Sequence, residues 1–143
     1  MHRPRMGISL LGLAAVMLAG CGRESVVTEP DPPAVVEELD GTELSRITLT
    51  ATAAERLGVG TAVVEQQGSR VVVPYAAVLY DSDGATWAYV SPAELVFVRE
   101  PIVVDRIVGD RAVLREGPPS GTVVATTGAA ELYGAETGVG GGH

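Results

Sequence analysis

Apolar and polar residues alternate in short runs between Ile47 and Thr126, and turn-forming residues separate the runs. The segment ITLTA at 47–51 has a period of two, which is typical of a strand with one buried face. Val-rich runs recur downstream and predict further strands at 59–65, 70–73, 76–80, 86–90, 95–98, 102–107, 112–115 and 122–126. Short strands at even spacing predict an all-β domain, mostly antiparallel, built as a small barrel or sandwich.

One short helix and one tight hairpin interrupt this strand pattern. Thr52 and Glu55 have the spacing of a capping box, so we expect a helix from Ala53 to Leu57. Gly58 then ends the helix, since glycine is the common residue after a helix C-terminus. The pair Asp83-Gly84 suits the positive φ angles of a tight turn and predicts a hairpin.

The N-terminal segment differs from the domain. Residues 1–20 have a basic start, an apolar run and a small-residue end, the order of a secretory signal peptide. The apolar run is too short for a helix to span a bilayer, although an uncleaved N-terminal anchor is the alternative. The sequence LAGC at 18–21 resembles the bacterial lipobox, so we expect cleavage between Gly20 and Cys21 and lipidation of Cys21.

Two further segments are expected to lie outside the folded domain, which we predict at 45–133. Residues 21–44 are rich in Pro and acids and lack apolar periodicity, which predicts a flexible tether. Residues 134–143 are Gly-rich and are expected to be disordered. Since two or more acyl chains anchor a protein stably, we expect the domain on the extracytoplasmic side of a bacterial membrane, in the cell envelope.

The negative net charge of the chain argues against two classes of binding partner. The chain has a net charge of −8 and no Lys, and without residues 1–20 the net charge is about −10. Nucleic acid and anionic lipid surfaces recruit clustered cations, so neither is a favoured partner.

Few residues could carry catalysis. Outside 1–20 the only His is His143 and the only Cys is Cys21, whereas a nucleophilic Ser or Cys needs a base that is usually His. Asp81 and Asp83 flank the predicted hairpin, and we interpret them as solvated turn residues rather than an acid pair or a calcium loop. We therefore predict no enzyme activity, no metal and no cofactor.

Four motifs follow one another in the C-terminal half of the chain. They are VPYAAVLYDSDGATWAYV at 73–90, FVREPIVV at 97–104, GDRAVLREG at 109–117 and GTVVATTGA at 121–129. In order and spacing they resemble the membrane-proximal β region of periplasmic adaptor subunits, the membrane fusion proteins of resistance-nodulation-division efflux pumps. Full adaptors also carry a lipoyl-like domain and a long helical hairpin, and this sequence has a pattern for neither.

The resemblance implies a truncated, non-enzymatic adaptor that docks on an inner-membrane efflux transporter. The alternative is a stand-alone envelope lipoprotein that binds a small ligand or a partner without a role in transport. Both interpretations leave homo-oligomerisation open.

Three residues are candidates for partner contact: Asp83, Trp87 and Arg99. Interface cores favour Trp and Arg, and Trp87 is the only Trp of the chain. The alternative for Trp87 is ordinary core packing or an aromatic pair with Tyr89, with which it shares a strand face. The alternative for Arg99 is an exposed ion pair with Glu100, which would contribute little to stability.

Overall fold

Ten strands and two short helices form residues 31–138, the part of the chain that the computed structural model describes. The predicted all-β, mostly antiparallel class is confirmed, because all nine strand ladders among the described residues are antiparallel. The strands are β1 (Ala34–Glu38), β2 (Ser45–Leu49), β3 (Thr61–Val63), β4 (Glu65–Gln67), β5 (Arg70–Pro74), β6 (Leu79–Tyr80), β7 (Thr86–Ala93), β8 (Val96–Val108), β9 (Arg111–Glu116) and β10 (Val123–Ala125). The helices are α1 (Ala51–Leu57) and α2 (Ala129–Glu136), and one 3-10 turn covers Tyr75–Ala77.

The sheet is barrel-like and nearly closed. Its strand order is β3-β10-β7-β8-β9-β5-β4, and the two end strands are separated along the chain by Val64 alone. Val64 is 1% exposed; its N–H donates to the carbonyl of Thr122 at 2.8 Å, and its carbonyl accepts from Gly121 at 2.8 Å. One stretch of chain therefore pairs with β10 before Val64 and with β5 after it, which brings the ends of the sheet together.

Strand β8 passes from one half of the sheet to the other. Its first half pairs with β7, and residues 103–108 pair with β9. The predicted break at Pro101 is wrong, because Pro101 lies in register with Trp87 inside the β7–β8 ladder. The fixed φ of proline is close to extended backbone, so Pro101 removes one hydrogen-bond donor without ending the strand.

Two apolar cores lie on opposite faces of β7. Ala88 and Val90 point into the first core, and Tyr89 points into the second, as the alternation along this strand predicts. The first core fills the space inside the barrel-like sheet with Val64, Val73, Ala77, Ala88, Val90, Ile102, Ala112, Leu114 and Val124. The second core lies between the sheet and α2 and contains Ile47, Leu49, Tyr89, Phe97, Ala125, Ala129 and Leu132.

The predicted short helix forms, but it begins earlier than the capping box indicates. Thr50, not Thr52, is the N-cap residue, and its side-chain oxygen accepts from the N–H of Ala53 at 3.1 Å. Ala53 lies three residues after Thr50, so this N-cap is a single hydrogen bond and not the capping box that we predicted. Gly58 ends the helix with a φ of 62°, as expected.

The predicted domain, residues 45–133, is too short at both ends. Strand β1 lies inside the predicted tether, where it pairs with β2 over its whole length. Helix α2 extends to Glu136, inside the predicted disordered tail. Its N-cap residue is Gly128, whose φ is 83° and which lies so close to Val59 that an added β-carbon would be 3.0 Å from a Val59 methyl group.

The predicted signal peptide, the Gly20–Cys21 cleavage site and the lipidation of Cys21 lie outside the described residues, as do residues 139–143 of the tail. Within residues 31–138, neither helix has the length and hydrophobicity that crossing a bilayer requires.

The packing of α2 against the second core can be tested by a substitution at Leu132. Leu132 is 0% exposed, whereas Leu57 at the end of α1 is 39% exposed. We expect Leu132→Ala to lower the free energy of unfolding by about 2–5 kcal/mol because it removes buried methyl groups and leaves a cavity. The matched control Leu57→Ala should cost about 0.5 kcal/mol or less. Urea unfolding of the purified proteins measures both, and equal losses would show that α2 is not packed as described.

Candidate partner-contact site

The hairpin between β6 and β7 is organised by the carboxylate of Asp81. One oxygen, Oδ1, accepts from the backbone N–H groups of Asp83 at 3.0 Å and Ala85 at 2.8 Å. The other, Oδ2, accepts from the indole N–H of Trp87 at 2.9 Å. Gly84 takes the positive φ of 83° that this turn requires. Asp81 thus joins the turn to the indole.

The pKa of Asp81 lies below its usual value. The hydrogen bond from Trp87 is the main cause, and the N–H groups of Ala85 and Asp83 and the positive charge of Arg99 act in the same direction. All of these favour the ionised carboxylate. The group that orients Trp87 is therefore charged at neutral pH.

Arg99 lies between two aromatic rings. Its guanidinium carbon is 4.3 Å from the centre of the Trp87 ring and 5.2 Å from the centre of the Tyr133 ring. Both distances are within the range of cation–π attraction. Arg99 is in register with Tyr89 across β7 and β8 and is only 9% exposed. A buried arginine of this kind needs a negative partner.

That partner is Glu136, at the end of α2. Its Oε2 lies 3.1 Å from Arg99 Nε, and the Glu136 side chain is 3% exposed. The contact is an ion pair without hydrogen-bond geometry, since Arg99 Nε donates to no acceptor in the described part of the chain. Glu136 also accepts from the hydroxyl of Tyr89 at 2.5 Å and from the N–H of Ser45 at 3.3 Å. One carboxylate therefore binds α2 to β2, β7 and β8.

The hydroxyl of Tyr89 remains a donor under all ordinary conditions. Burial raises the pKa of Tyr89 far above its usual value, and the hydrogen bond to Glu136 and the negative charge of Glu136 raise it further. The charge of Arg99 opposes this shift and is the smaller effect. Tyr89 therefore serves as a fixed neutral donor to a buried anion.

A shallow groove of about 410 Å³ opens beside Trp87. Tyr80, which is 49% exposed, forms part of the wall, and Gly84 and Ala85 of the hairpin also line it. The lining residues are Tyr80, Gly84, Ala85, Thr86, Trp87, Pro101, Ile102, Val103 and Val104. Because Trp87 is held by Asp81 and by Arg99, this wall of the groove is preorganised.

Two of the three predicted contact residues meet in the structure. Trp87 stacks on Arg99, whereas Asp83 is exposed at the hairpin tip and contributes only its backbone to the Asp81 cluster. The alternative ion pair of Arg99 with Glu100 is not formed, because Glu136 takes that place. Trp87 is half-buried and contacts a cation, so its packing differs from the aromatic pairing with Tyr89 that we considered.

Sequence analysis missed Glu136 and Tyr133. Both lie in or beside the Gly-rich stretch, where Gly134 and the lack of a side-chain cap hide a helix. The available signal was the run AAELY at 129–133, whose Ala and Leu residues favour a helix. Among residues 31–138, no group of three or more His, Cys, Asp or Glu side chains is placed to hold a metal ion.

Comparisons with known proteins give no relative. No family model, no curated protein and no solved structure matches this chain.

The hydrogen bond between Tyr89 and Glu136 can be tested by removing one oxygen atom. Tyr89→Phe removes the hydroxyl that donates to Oε2 of the buried Glu136 carboxylate and leaves the longer bond from the N–H of Ser45, so we expect the free energy of unfolding to fall by about 1.5–3 kcal/mol. Tyr133→Phe is the matched control, because it keeps the ring beside Arg99 and removes a hydroxyl that bonds to no described residue. Its cost should be about 0.5 kcal/mol or less, and an equal cost for both variants in urea unfolding would contradict the assigned bond.

Acid should weaken the Asp81 cluster in a defined pH range. Since the folded-state pKa of Asp81 is lowered, its contribution to stability is complete above the unfolded value of about 3.9 and is lost as the pH falls through the folded value. We expect Asp81→Asn to be less stable than the wild type at pH 7 and to lose less stability between pH 5 and pH 2. Urea unfolding followed by Trp87 fluorescence measures both; Asp83→Asn is the control and should keep the wild-type pH profile.

Proposed function

We propose that this chain is a lipid-anchored, non-enzymatic accessory protein of the cell envelope that docks on an efflux transporter in the manner of a periplasmic adaptor. The observation that carries the proposal is the order of the four adaptor-like motifs. They fall on β5 to β7, on β8, on β9 with the turn before it, and on β10 with the start of α2. These strands are neighbours in the sheet, so the resemblance covers one continuous structural unit rather than scattered segments.

The Trp87 site is the part of this unit that we assign to docking. Interface hot spots are enriched in Trp, Tyr and Arg, and their energy depends on rings that are held before binding. Asp81 holds the indole of Trp87 by a hydrogen bond, and Arg99 packs against its face. Tyr80 presents a second, exposed ring in the same groove. A transporter segment would meet this surface without first ordering it.

The anchor places the domain at its proposed partner. Lipidation of Cys21 with two or more acyl chains would keep the protein at one leaflet. The first strand starts at Ala34, 13 positions after Cys21, so the proposed anchor is close to the domain in the sequence. Confinement of this kind raises the effective concentration of the docking surface at a transporter in the same membrane.

The groove also supports a second candidate, a stand-alone envelope lipoprotein that binds a small ligand. Its volume of about 410 Å³ lies within the range of small-molecule sites. Such sites usually enclose most of the ligand, whereas this groove is shallow. An extended protein segment fits an open groove of this shape better, and this is why we place the second candidate behind the adaptor function.

Crosslinking in native membranes tests the proposal. We expect a polytopic transporter to copurify with the tagged wild-type protein after mild crosslinking. Cys21→Ala should reduce the yield, because the domain then loses its confinement to the membrane. If the wild type incorporates fatty acid but brings no transporter with it, the lipoprotein prediction stands and the transport role is wrong.

The same experiment locates the docking surface. Tyr80→Ala removes an exposed groove residue, and we expect it to reduce the recovered transporter by about tenfold if Tyr80 belongs to the hot spot. Glu94→Arg is the control, since Glu94 is exposed in the turn after β7, at the opposite end of that strand from the groove. A loss caused by Glu94→Arg and not by Tyr80→Ala would move the docking surface away from Trp87.

A further inference from the structure

Three arginines from neighbouring strands meet on the surface of the sheet. Arg70 begins β5, Arg106 lies in β8 and Arg115 lies in β9, and β9 pairs with both of the other strands. Residues 31–138 contain seven arginines against sixteen acids, so nearly half of the arginines lie at this place. The negative net charge of the chain therefore hides a local group of cations, Arg70, Arg106 and Arg115, which we call the arginine cluster.

Asp105 is the acid at the centre of the arginine cluster. Its Oδ2 accepts from Arg106 Nη1 at 2.9 Å, and its Oδ1 accepts from Arg115 Nη2 at 3.4 Å. The pKa of Asp105 is lowered, mainly by the hydrogen bond from Arg115, and the positive charges of Arg70 and Arg106 act in the same direction. All three arginines therefore lie close enough to act on one carboxylate.

Two facing β-bulges bring the charged side chains together. Register shifts on both strands of the β8–β9 ladder leave Asp105 of β8 and Arg115 of β9 without a facing residue. The extra residue of a bulge has its side chain redirected relative to a regular strand. Here the two extra residues are hydrogen-bonded to each other, so the irregular ladder positions the cluster.

The arginine cluster carries more positive charge than Asp105 balances. Three guanidinium groups share one carboxylate, which leaves an excess of two positive charges. Within residues 31–138, no other acid forms an ion pair with these three arginines. The side chains of Arg106 and Arg115 are 59% and 58% exposed, so the N–H groups that Asp105 does not use are available to a ligand.

The charge and the number of donors in the arginine cluster indicate the chemistry of its ligand. Guanidinium groups bind carboxylate and phosphate oxygens through charge-assisted hydrogen bonds. A phosphate monoester carries a charge of about −1.5 to −2 at pH 7 and has three strong acceptor oxygens. It therefore matches both the excess charge and the three guanidinium groups, whereas a single carboxylate would balance half of the excess.

We propose that Arg70, Arg106 and Arg115 form a binding site for a phosphate monoester group. The site lies on β5, β8 and β9, and the proposal does not depend on the docking function given above. A soluble phosphate compound and a membrane lipid with a monoester headgroup both supply this chemistry.

Titration with inorganic phosphate tests the site. Full-length protein in a non-ionic detergent is titrated at about pH 8 and constant ionic strength, where phosphate is mostly a dianion. The backbone amide signals of Asp105, Arg106 and Arg115 are followed by NMR, and we expect saturable shifts. Arg106→Gln and Arg115→Gln should each weaken the affinity by about fivefold, because each removes one exposed ionic contact. Arg56→Gln makes the same charge change on α1 and should leave the affinity unaltered.

A substitution of Asp105 should change the affinity in the opposite direction. Asp105→Asn keeps the size of the side chain and removes the negative charge that competes with phosphate, so we expect binding to become about fivefold tighter. The proposal is overturned if no shift saturates or if Asp105→Asn weakens binding. It is also overturned if the arginine variants bind as tightly as the wild type while circular dichroism shows folded chains.

Vesicles distinguish the two sources of phosphate once saturable binding is found. Full-length protein is reconstituted in vesicles of phosphatidylcholine, with and without phosphatidic acid, and hydrogen exchange of residues 103–116 is measured by mass spectrometry. Slower exchange with phosphatidic acid that is lost in Arg106→Gln assigns the site to a lipid headgroup. Unchanged exchange assigns it to a soluble phosphate compound.

Discussion

The ion pair between Glu136 and Arg99 links the last helix of the described chain to the centre of the sheet. Each group is buried, so each would be costly without the other. The carboxylate is also bound by the hydroxyl of Tyr89, and the guanidinium supports the indole of Trp87. The same contacts that close α2 over the second core therefore also fix the aromatic wall of the groove. Stability and the proposed docking surface depend on one pair of charges.

Sequence patterns predicted the parts of this fold that are locally determined. Alternation located most strands, and Asp83-Gly84 located the hairpin, because strand periodicity and turn geometry depend on near neighbours. The limits of the domain depend instead on contacts between residues that are far apart in the sequence. Val35 and Val36 in β1 become a strand only because β2 lies beside them, and the short helix α2 is held by contacts with the sheet.

The candidate site could be predicted only in part, because some of its contacts join segments that are distant in the sequence. Trp87 and Arg99 were candidates because interface cores favour Trp and Arg, and the structure brings them into contact. Glu136 could not be found, since no local signal marks the partner of a buried arginine and the surrounding glycines suggest disorder. A buried charge pair between distant segments is a property of the packed chain, and one sequence does not display it.

The pairing of the strands on either side of Val64 also limits the order in which the domain can fold. The strand before Val64 has β10 as its sheet partner, about 60 residues later in the chain. Pairing of such distant segments requires a large loop to close first, which slows folding. In a chain that becomes available from its N-terminus, the barrel-like sheet cannot close until residue 125 is present, because β10 is the one ladder partner of β3 among residues 31–138. The N-terminal half of this domain therefore stays incomplete until its C-terminal strand is available to pair with it.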